Sequence, residues 1–283
     1  MIIGAKTLGG SLPLSNPMVD WIGIVFSIFG FGGVLYGLSA IGSEGFAYLP
    51  AWAAMIVGAI FIGLFIQRTV HSNQPLLNVR LLKNKSFLLS ILISMFALMT
   101  LVGANNIMPI YVQSVLGRSA FISGLITMPG AILKSLGSPV SGRIYDEFGI
   151  QRLGPIGSGM MVIGTSLLLF LSPDTAIFIP ILIYFLIYGG FCLLNIPITT
   201  AGMNTLKEEE LSHGTAVRQT IRGLGSTFST AMAFSTLSFI SSAFTQHGST
   251  GVNMSGIRGA FGVAVFCALS AFILTLFFKE KVE

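Results

Sequence analysis

Residues 142–152 read GRIYDEFGIQR, a stretch with two arginines, two acids and two glycines. Only 9% of the chain is charged, and apolar runs long enough to cross a bilayer lie on both sides of this stretch. The pattern predicts a charged turn between two membrane helices, at one face of the membrane. Gly149 suits a turn with positive φ because it lacks a Cβ. Asp146 could pair with Arg143 or Arg152, or accept backbone N–H bonds where the next helix starts.

The composition indicates a polytopic membrane protein. Hydrophobic residues make up 53% of the 283 residues, and the mean hydropathy is strongly positive. A soluble domain carries about a quarter charged residues, far more than this chain. The net charge of +5 is spread over separate loops, which fits membrane sorting and not nucleic-acid binding. Cys192 and Cys267 lie in apolar runs without CxxC spacing, which favours core packing over a disulfide or a zinc site.

Eight apolar segments approach the length of about 20 residues that crosses a bilayer. They lie near residues 21–41, 49–66, 87–111, 121–141, 153–171, 177–199, 216–241 and 257–278. The fold class is therefore predicted to be all-α, with about eight transmembrane helices. The predicted organisation is an N-terminal segment (1–20), two central helices (21–66), a cytoplasmic linker (67–86), a six-helix bundle (87–278) and a tail (279–283).

The basic residues predict the orientation. With the N-terminus inside, all but three of the fifteen basic residues lie on cytoplasmic faces. Arg118 and Arg258 fall on the opposite side, and Lys134 lies within a span. We therefore expect an integral plasma-membrane protein with both termini in the cytoplasm. On charge alone, residues 142–152 are equally consistent with an ordinary positive-inside turn and with a functional element.

Lys134 is the only ionisable residue well inside a predicted span. A lipid-facing lysine there would cost about 2.5 kcal/mol or more unless its side chain reached the interface. Two interpretations stay open: Lys134 lines a water-filled path within the bundle, or its ammonium extends towards the inner membrane face.

Two spans combine an amide side chain with a proline. Asn105 and Asn106 precede Pro109 in the third span, and Asn195 precedes Pro197 in the sixth. Proline frees a carbonyl one turn earlier, which an amide or a substrate can satisfy. Paired interrupted helices in the two halves of a six-helix set indicate a binding site near the midplane. Hydrogen bonding between helices is the alternative.

The remaining motifs argue against an enzyme. The ten carboxylates all lie in predicted loops or at helix ends, so the spans lack the embedded acid that a proton-coupled carrier usually needs. No Ser/His/Asp set, HExxH pair or Walker-type loop occurs, so the sequence predicts no catalytic residue, metal site or cofactor. Gly225, Ser229 and Ala233 form a small-residue stripe in the seventh span, which predicts helix packing.

The spacing of Gly142, Asp146, Gly149 and Arg152 resembles the signature loop of the major facilitator superfamily. In that loop a glycine is followed four residues later by aspartate, and then by a second glycine and arginines. Other stretches resemble the fourteen-helix multidrug efflux branch of this family. They are GFGGVLYGLS at 30–39, QPLL at 74–77, YVQSVLG at 111–117, MPG at 128–130 and HGTA at 213–216.

The resemblance implies the C-terminal part of a drug:proton antiporter, with two central helices and the last six. Six upstream helices, in which the coupling carboxylates are expected, would be absent through a truncated gene or a gene split into two polypeptides. The complete carrier would export small amphipathic, often cationic, compounds by alternating access, driven by a proton gradient and without a cofactor. Its partners would be the lipid bilayer, lipophilic substrates and the missing half. A non-transporting membrane subunit of another transporter is the alternative.

Two groups of residues are the predicted sites. The substrate-cavity candidates are Asn105, Asn106, Tyr111, Gln113, Lys134 and Asn195. The candidate cytoplasmic gating residues are Gly142, Arg143, Asp146, Gly149 and Arg152, of which the charged ones would latch the cytoplasmic face.

Overall fold

The computed structural model describes residues 21–44, 48–71, 79–244 and 253–278. Within these ranges the chain is helical and contains no strand. Its α-helices are α1 (Trp21–Glu44), α2 (Leu49–His71), α3 (Lys85–Ile110), α4 (Ala120–Leu168), α5 (Phe178–Met203), α6 (Leu211–Phe244) and α7 (Met254–Phe277). A π-helical turn at Tyr111–Val115 extends α3, and 3-10 helices lie at Val79–Lys83 and Glu208–Glu210. The predicted all-α fold class is confirmed.

Every one of the eight predicted spans overlaps a helix, and two of them, 121–141 and 153–171, overlap α4. Among the described residues, four helices are long and apolar enough to cross a membrane: Lys85–Val115, Ala120–Leu168, Phe178–Met203 and Met254–Phe277. Leu49–Phe65 is a shorter apolar stretch within α2. The 49 residues of α4 would measure about 74 Å if straight, more than twice the bilayer core. A bend divides α4 into two arms.

The stretch 142–152 is not the loop that the sequence predicts. The first arm of α4 stays helical from residue 120 to residue 148, and the second arm runs from 150 to 168. Gly149 alone leaves helical geometry, at φ 68° and ψ 167°. The predicted positive-φ turn is therefore confirmed, and the predicted loop length is wrong. A helix satisfies its own backbone N–H and C=O groups up to the membrane face, so one glycine suffices for the bend.

The predicted linker 67–86 is also shorter in the structure. Helix α2 continues to His71, a 3-10 helix occupies Val79–Lys83, and α3 begins at Lys85. Asn84 caps α3, since its Oδ1 accepts hydrogen bonds from the backbone N–H groups of Ser86 (3.1 Å) and Phe87 (3.3 Å). Residues 72–78 lie outside the described residues, as do the predicted terminal segments 1–20 and 279–283.

Helix α3 is the centre of the bundle, because it packs against α4, α5, α6 and α7. The prediction that the stripe on α6 packs is confirmed: Gly225 lies against Met95, and Ser229 Oγ donates to the Met99 carbonyl at 2.6 Å. Helices α1 and α2 pack on each other, and α1 also packs on α6. The division of the chain into two central helices and a six-helix bundle stays a prediction.

Candidate functional site

Helices α5 and α6 lie side by side along α3. Helix α3 packs closely against both helices, whereas α5 and α6 touch each other only sparsely. Polar side chains from the three helices collect here, and we call this region the polar cleft. Its members are Asn105 and Asn106 of α3, Tyr188, Asn195 and Thr199 of α5, and Arg218, Arg222 and Thr230 of α6.

The two asparagines of α3 connect it to the two neighbouring helices. Asn105 Nδ2 donates to Tyr188 Oη at 2.9 Å, and Asn106 Nδ2 donates to Thr230 Oγ1 at 2.9 Å. These bonds match the predicted alternative of hydrogen bonding between helices. Asn105 Oδ1, by contrast, is buried and has no hydrogen-bond partner in the described part of the chain. One amide therefore both joins two helices and keeps a free acceptor.

The Asn106–Thr230 bond should contribute measurably to stability. Interhelical hydrogen bonds in membrane proteins average about 0.6 kcal/mol and reach about 1.7 kcal/mol. A double-mutant cycle of Asn106→Ala and Thr230→Val, read as the free energy of unfolding in micelles, is expected to give a coupling within that range. Thr230→Ser keeps the hydroxyl and should retain most of the coupling. A coupling indistinguishable from zero would mean that the bond contributes nothing.

Neither proline breaks its helix. Helix α3 continues through Pro109 into the π-helical turn at Tyr111–Val115, and α5 continues through Pro197 to Met203. The predicted interruptions are therefore wrong. A proline removes only one backbone donor, and packing against neighbouring helices keeps the remaining bonds of the helix in place.

The N-terminal part of α6 contributes two arginines to the polar cleft. Arg218 Nη2 donates to Thr199 Oγ1 on α5, and Thr199 Oγ1 in turn donates to the Asn195 carbonyl. The Nε atoms of Arg218 and Arg222 and the Oδ1 atom of Asn195 are buried without a hydrogen-bond partner among the described residues. From the sequence, both arginines were predicted only as cytoplasmic charges. Their positions, four residues apart and inside the predicted span 216–241, could have indicated that both guanidinium groups lie on one face of a membrane helix.

Lys134 lies on the first arm of α4, next to α5. Its Nζ is 5.4 Å from the ring centroid of Phe191, one turn before Asn195 on α5. A cation over an aromatic face gains about 0.5–2 kcal/mol, depending on how far it is desolvated. The structure thus directs the ammonium towards the bundle and gives it an aromatic neighbour. A role of Lys134 in a pathway stays a prediction.

Tyr111 and Gln113 lie in the π-helical turn, apart from the polar cleft. The Tyr111 side chain is fully buried, and its Oη donates to the Ser172 carbonyl at 2.8 Å, which fixes the end of α3 to the segment after α4. Gln113 is exposed. Asn105 and Asn106 are neighbours on α3, whereas Asn195 lies two helical turns from Tyr188, the partner of Asn105, on the same face of α5. Tyr111 and Gln113 make no described hydrogen bond with these three asparagines.

The candidate gating residues surround the bend of α4. Arg143, Asp146 and Arg152 are exposed, whereas Gly142 and Gly149 are half-buried. None of the three charged side chains makes a hydrogen bond or ion pair with another described residue. The pairing of Asp146 with Arg143 or Arg152 that the sequence suggested is therefore not formed. All three charges are free to meet another surface.

A second concavity, between α4 and α5, is almost wholly apolar. It has a volume of about 690 Å³. Residues that line it include Leu133, Met160, Leu167, Leu182, Phe185 and Gly189. None of the six cavity candidates lines this groove, and it presents no ionisable group. The polar cleft is therefore the better candidate for recognition of a polar group.

Comparison with known proteins gives a consistent result. Residues 21–230 match the family model of the Major Facilitator Superfamily. The chain is 31% identical, over 99% of its length, to the uncharacterized MFS-type transporter YcnB of Bacillus subtilis (strain 168), of which it covers 59%. It is 27% identical, over 99% of its length, to the lincomycin resistance protein LmrB of Listeria innocua, of which it covers 61%. It is 30% identical over 82% of its length to the multidrug transporter protein MdtP of Bacillus subtilis, of which it covers 43%.

Proposed function

The chain belongs to the major facilitator superfamily, and we propose that it is the C-terminal part of a fourteen-helix multidrug efflux transporter. The complete carrier exports small amphipathic compounds across the plasma membrane by proton-coupled alternating access. The chain spans about six tenths of the length of YcnB and LmrB, which supports a missing segment. Relatives named for lincomycin resistance and multidrug transport support the substrate class.

The polar cleft is the single observation that carries this proposal. Amides, hydroxyls and guanidinium groups are costly within membrane helices, and such residues mark substrate or ion pathways. Here they converge from α3, α5 and α6, and several of their polar atoms have no partner among the described residues. If these residues served helix packing alone, their polar atoms would be hydrogen-bonded between helices, as Ser229 is to the Met99 carbonyl. A compound that passes between the helices can pair them instead.

The bend of α4 supplies the cytoplasmic gate in this scheme. Both termini lie in the cytoplasm, so the bend at Gly149 faces it as well. The exposed Arg143, Asp146 and Arg152 then contact the upstream six-helix half when the carrier is closed to the cytoplasm. The carboxylates that couple transport to the proton gradient belong to that upstream half. The chain needs no cofactor beyond the gradient itself.

A resistance assay tests the function. The chain alone, and the chain preceded in frame by the six upstream helices, are expressed in a bacterial host that lacks its own multidrug pumps. We expect resistance and ethidium efflux only from the restored carrier, and both should collapse when an uncoupler dissipates the proton gradient. Immunoblots of the membrane fraction control for expression. If the upstream helices are encoded by an adjacent gene, co-expression of the two polypeptides replaces the fusion.

Two results would overturn the proposal. Proton-driven drug uptake into inverted vesicles that contain only this chain would show that no second half is needed. A restored carrier that inserts normally but confers neither resistance nor efflux would favour the alternative of a non-transporting membrane subunit.

A further inference from the structure

We propose that Arg218 and Arg222 form an anion site in the polar cleft, and that this site takes the carboxylate of a transported amphipathic compound. The inference rests on the proposed function, since it treats the polar cleft as part of the transport path. It adds a substrate class, because it assigns a negatively charged group to this half of the carrier.

Both arginines face the polar cleft from the same side of α6. Residues four apart in a helix lie one above the other, so Arg222 is one turn deeper in the membrane than Arg218. Arg218 reaches α5, where it donates to Thr199 Oγ1. Asn195 is one turn from Thr199 on α5, which runs antiparallel to α6 across a short connection. Asn195 and Arg222 therefore lie at the same level of the cleft.

The two arginines lack a counter-charge. Each is half-buried, and each has a buried Nε–H without an acceptor. Neither pairs with a carboxylate in the part of the chain that the structure describes. A guanidinium within a membrane bundle is costly unless an anion and hydrogen-bond acceptors compensate it. Two adjacent guanidinium groups also repel each other. A bound anion would offset both the cost of burying the charges and their mutual repulsion.

The geometry of the side chains favours a carboxylate. Arginine offers a planar set of donors that binds carboxylate oxygens in pairs, which a lysine cannot reproduce. The free Oδ1 of Asn195 can accept one further hydrogen bond from a hydroxyl or amine of the same compound. The apolar side chains of the bundle suit the rest of an amphipathic molecule. A lipophilic acid with a neighbouring donor therefore matches the site.

Direct binding to the purified chain tests the inference. The probe is 2-naphthoate, the matched neutral probe is 2-naphthamide, and the protein is held in nanodiscs of phosphatidylcholine. Thermophoresis is expected to give saturable binding of 2-naphthoate above the signal of empty nanodiscs, and little binding of 2-naphthamide. In Arg222→Gln the affinity for 2-naphthoate should fall about tenfold, the equivalent of about 1.4 kcal/mol. Arg118→Gln, at an exposed arginine outside the cleft, should bind like the unchanged chain.

Several outcomes would overturn the inference. Equal affinity for the two probes in the unchanged chain would do so without any variant, which matters if Arg222→Gln fails to fold. Unchanged binding by an Arg222→Gln chain with native circular dichroism would do the same. A carboxylate side chain of the upstream half is the other possible source of the anion. In that case 2-naphthoate would bind the chain alone but not the restored carrier. The arginines would then hold the two halves of the carrier together instead of binding a transported compound.

This test does not depend on transport. Failure of the resistance assay with intact 2-naphthoate binding would overturn the efflux proposal and leave the anion site. Resistance without 2-naphthoate binding would leave the efflux proposal and remove the anion site.

Discussion

Gly190→Ala is expected to lower the free energy of unfolding by about 3 kcal/mol, the upper end of the usual cost of overpacking. A Cβ at this position would lie 2.4 Å from the backbone oxygen of Gly157 on the second arm of α4, and 2.9 Å from Met160 Cβ. Neither atom is the end of a flexible side chain, so the two helices would have to separate. The measurement is reversible unfolding of the purified chain in mixed micelles, followed by circular dichroism.

The adjacent glycine is the matched control. A Cβ at Gly189 would meet its nearest atoms, Leu133 Cδ2 and Met160 Cε, at 3.4 Å. Both belong to the ends of side chains, which can move by a few tenths of an ångström. Gly189→Ala should therefore raise the free energy of unfolding slightly, by no more than about 1 kcal/mol, as alanine does in a helix interior. Equal losses in the two variants would mean that the close approach of α4 and α5 is not what stabilises the bundle.

The sequence predicted where helices lie better than where they end. Apolar runs of about 20 residues identify the membrane-buried part of a helix, because only a helix satisfies its backbone there. At the membrane face this constraint ends, and polar residues fit a helix as well as a loop. Residues 142–148 and 67–71 are helical for this reason, although their composition suggested loops. Hydropathy therefore predicts which residues lie within the membrane, but it does not predict where a helix ends.

Only some residues of the polar cleft could be predicted from the sequence. Asn105, Asn106 and Asn195 were predicted because an amide is conspicuous in an apolar run. Their hydrogen-bond partners were not predicted, because hydroxyl side chains such as Thr230 commonly bond to a carbonyl of their own helix. Which side chains pair between helices depends on how far one helix is shifted along the other. The arginines of α6 were assigned to the cytoplasmic face by the positive-inside rule. A long side chain near a helix end can satisfy that rule and still enter a cleft.

The charges of the described residues are distributed unevenly. The polar cleft holds two arginines, and the Lys134 ammonium lies near Phe191, one turn from Asn195 on α5. The described carboxylates are Glu44, Asp146, Glu147, Asp174, Glu208, Glu209 and Glu210, which all lie at helix ends or in connections. The polar cleft therefore carries a positive potential. Under the proposed function, proton exchange and any recognition of a cationic group would then fall to the proposed upstream half.

Gly149→Ala is expected to destabilise the chain, whereas Gly142→Ala is expected to stabilise it, although both glycines belong to the same charged stretch. At φ 68° and ψ 167°, Gly149 occupies a region that is essentially limited to glycine, where another residue costs about 1–3 kcal/mol. Gly142 lies inside the first arm of α4, and a Cβ there would meet no atom within 4 Å. Alanine favours a helix interior over glycine by about 0.5–1 kcal/mol.

The opposite signs separate two explanations of the stretch 142–152. If a flexible loop connected the two arms of α4, alanine would be tolerated at either position, and the two variants would unfold alike. If Gly149 alone sets the bend, only its replacement forces the second arm to leave its packing against α5 and α7, and the free energies of unfolding differ by about 2 kcal/mol or more. Guanidinium or SDS titration of both variants decides the matter. Equal unfolding midpoints would contradict the interpretation that Gly149 alone sets the bend. They would also contradict a rigid arrangement of Arg143, Asp146 and Arg152 around it.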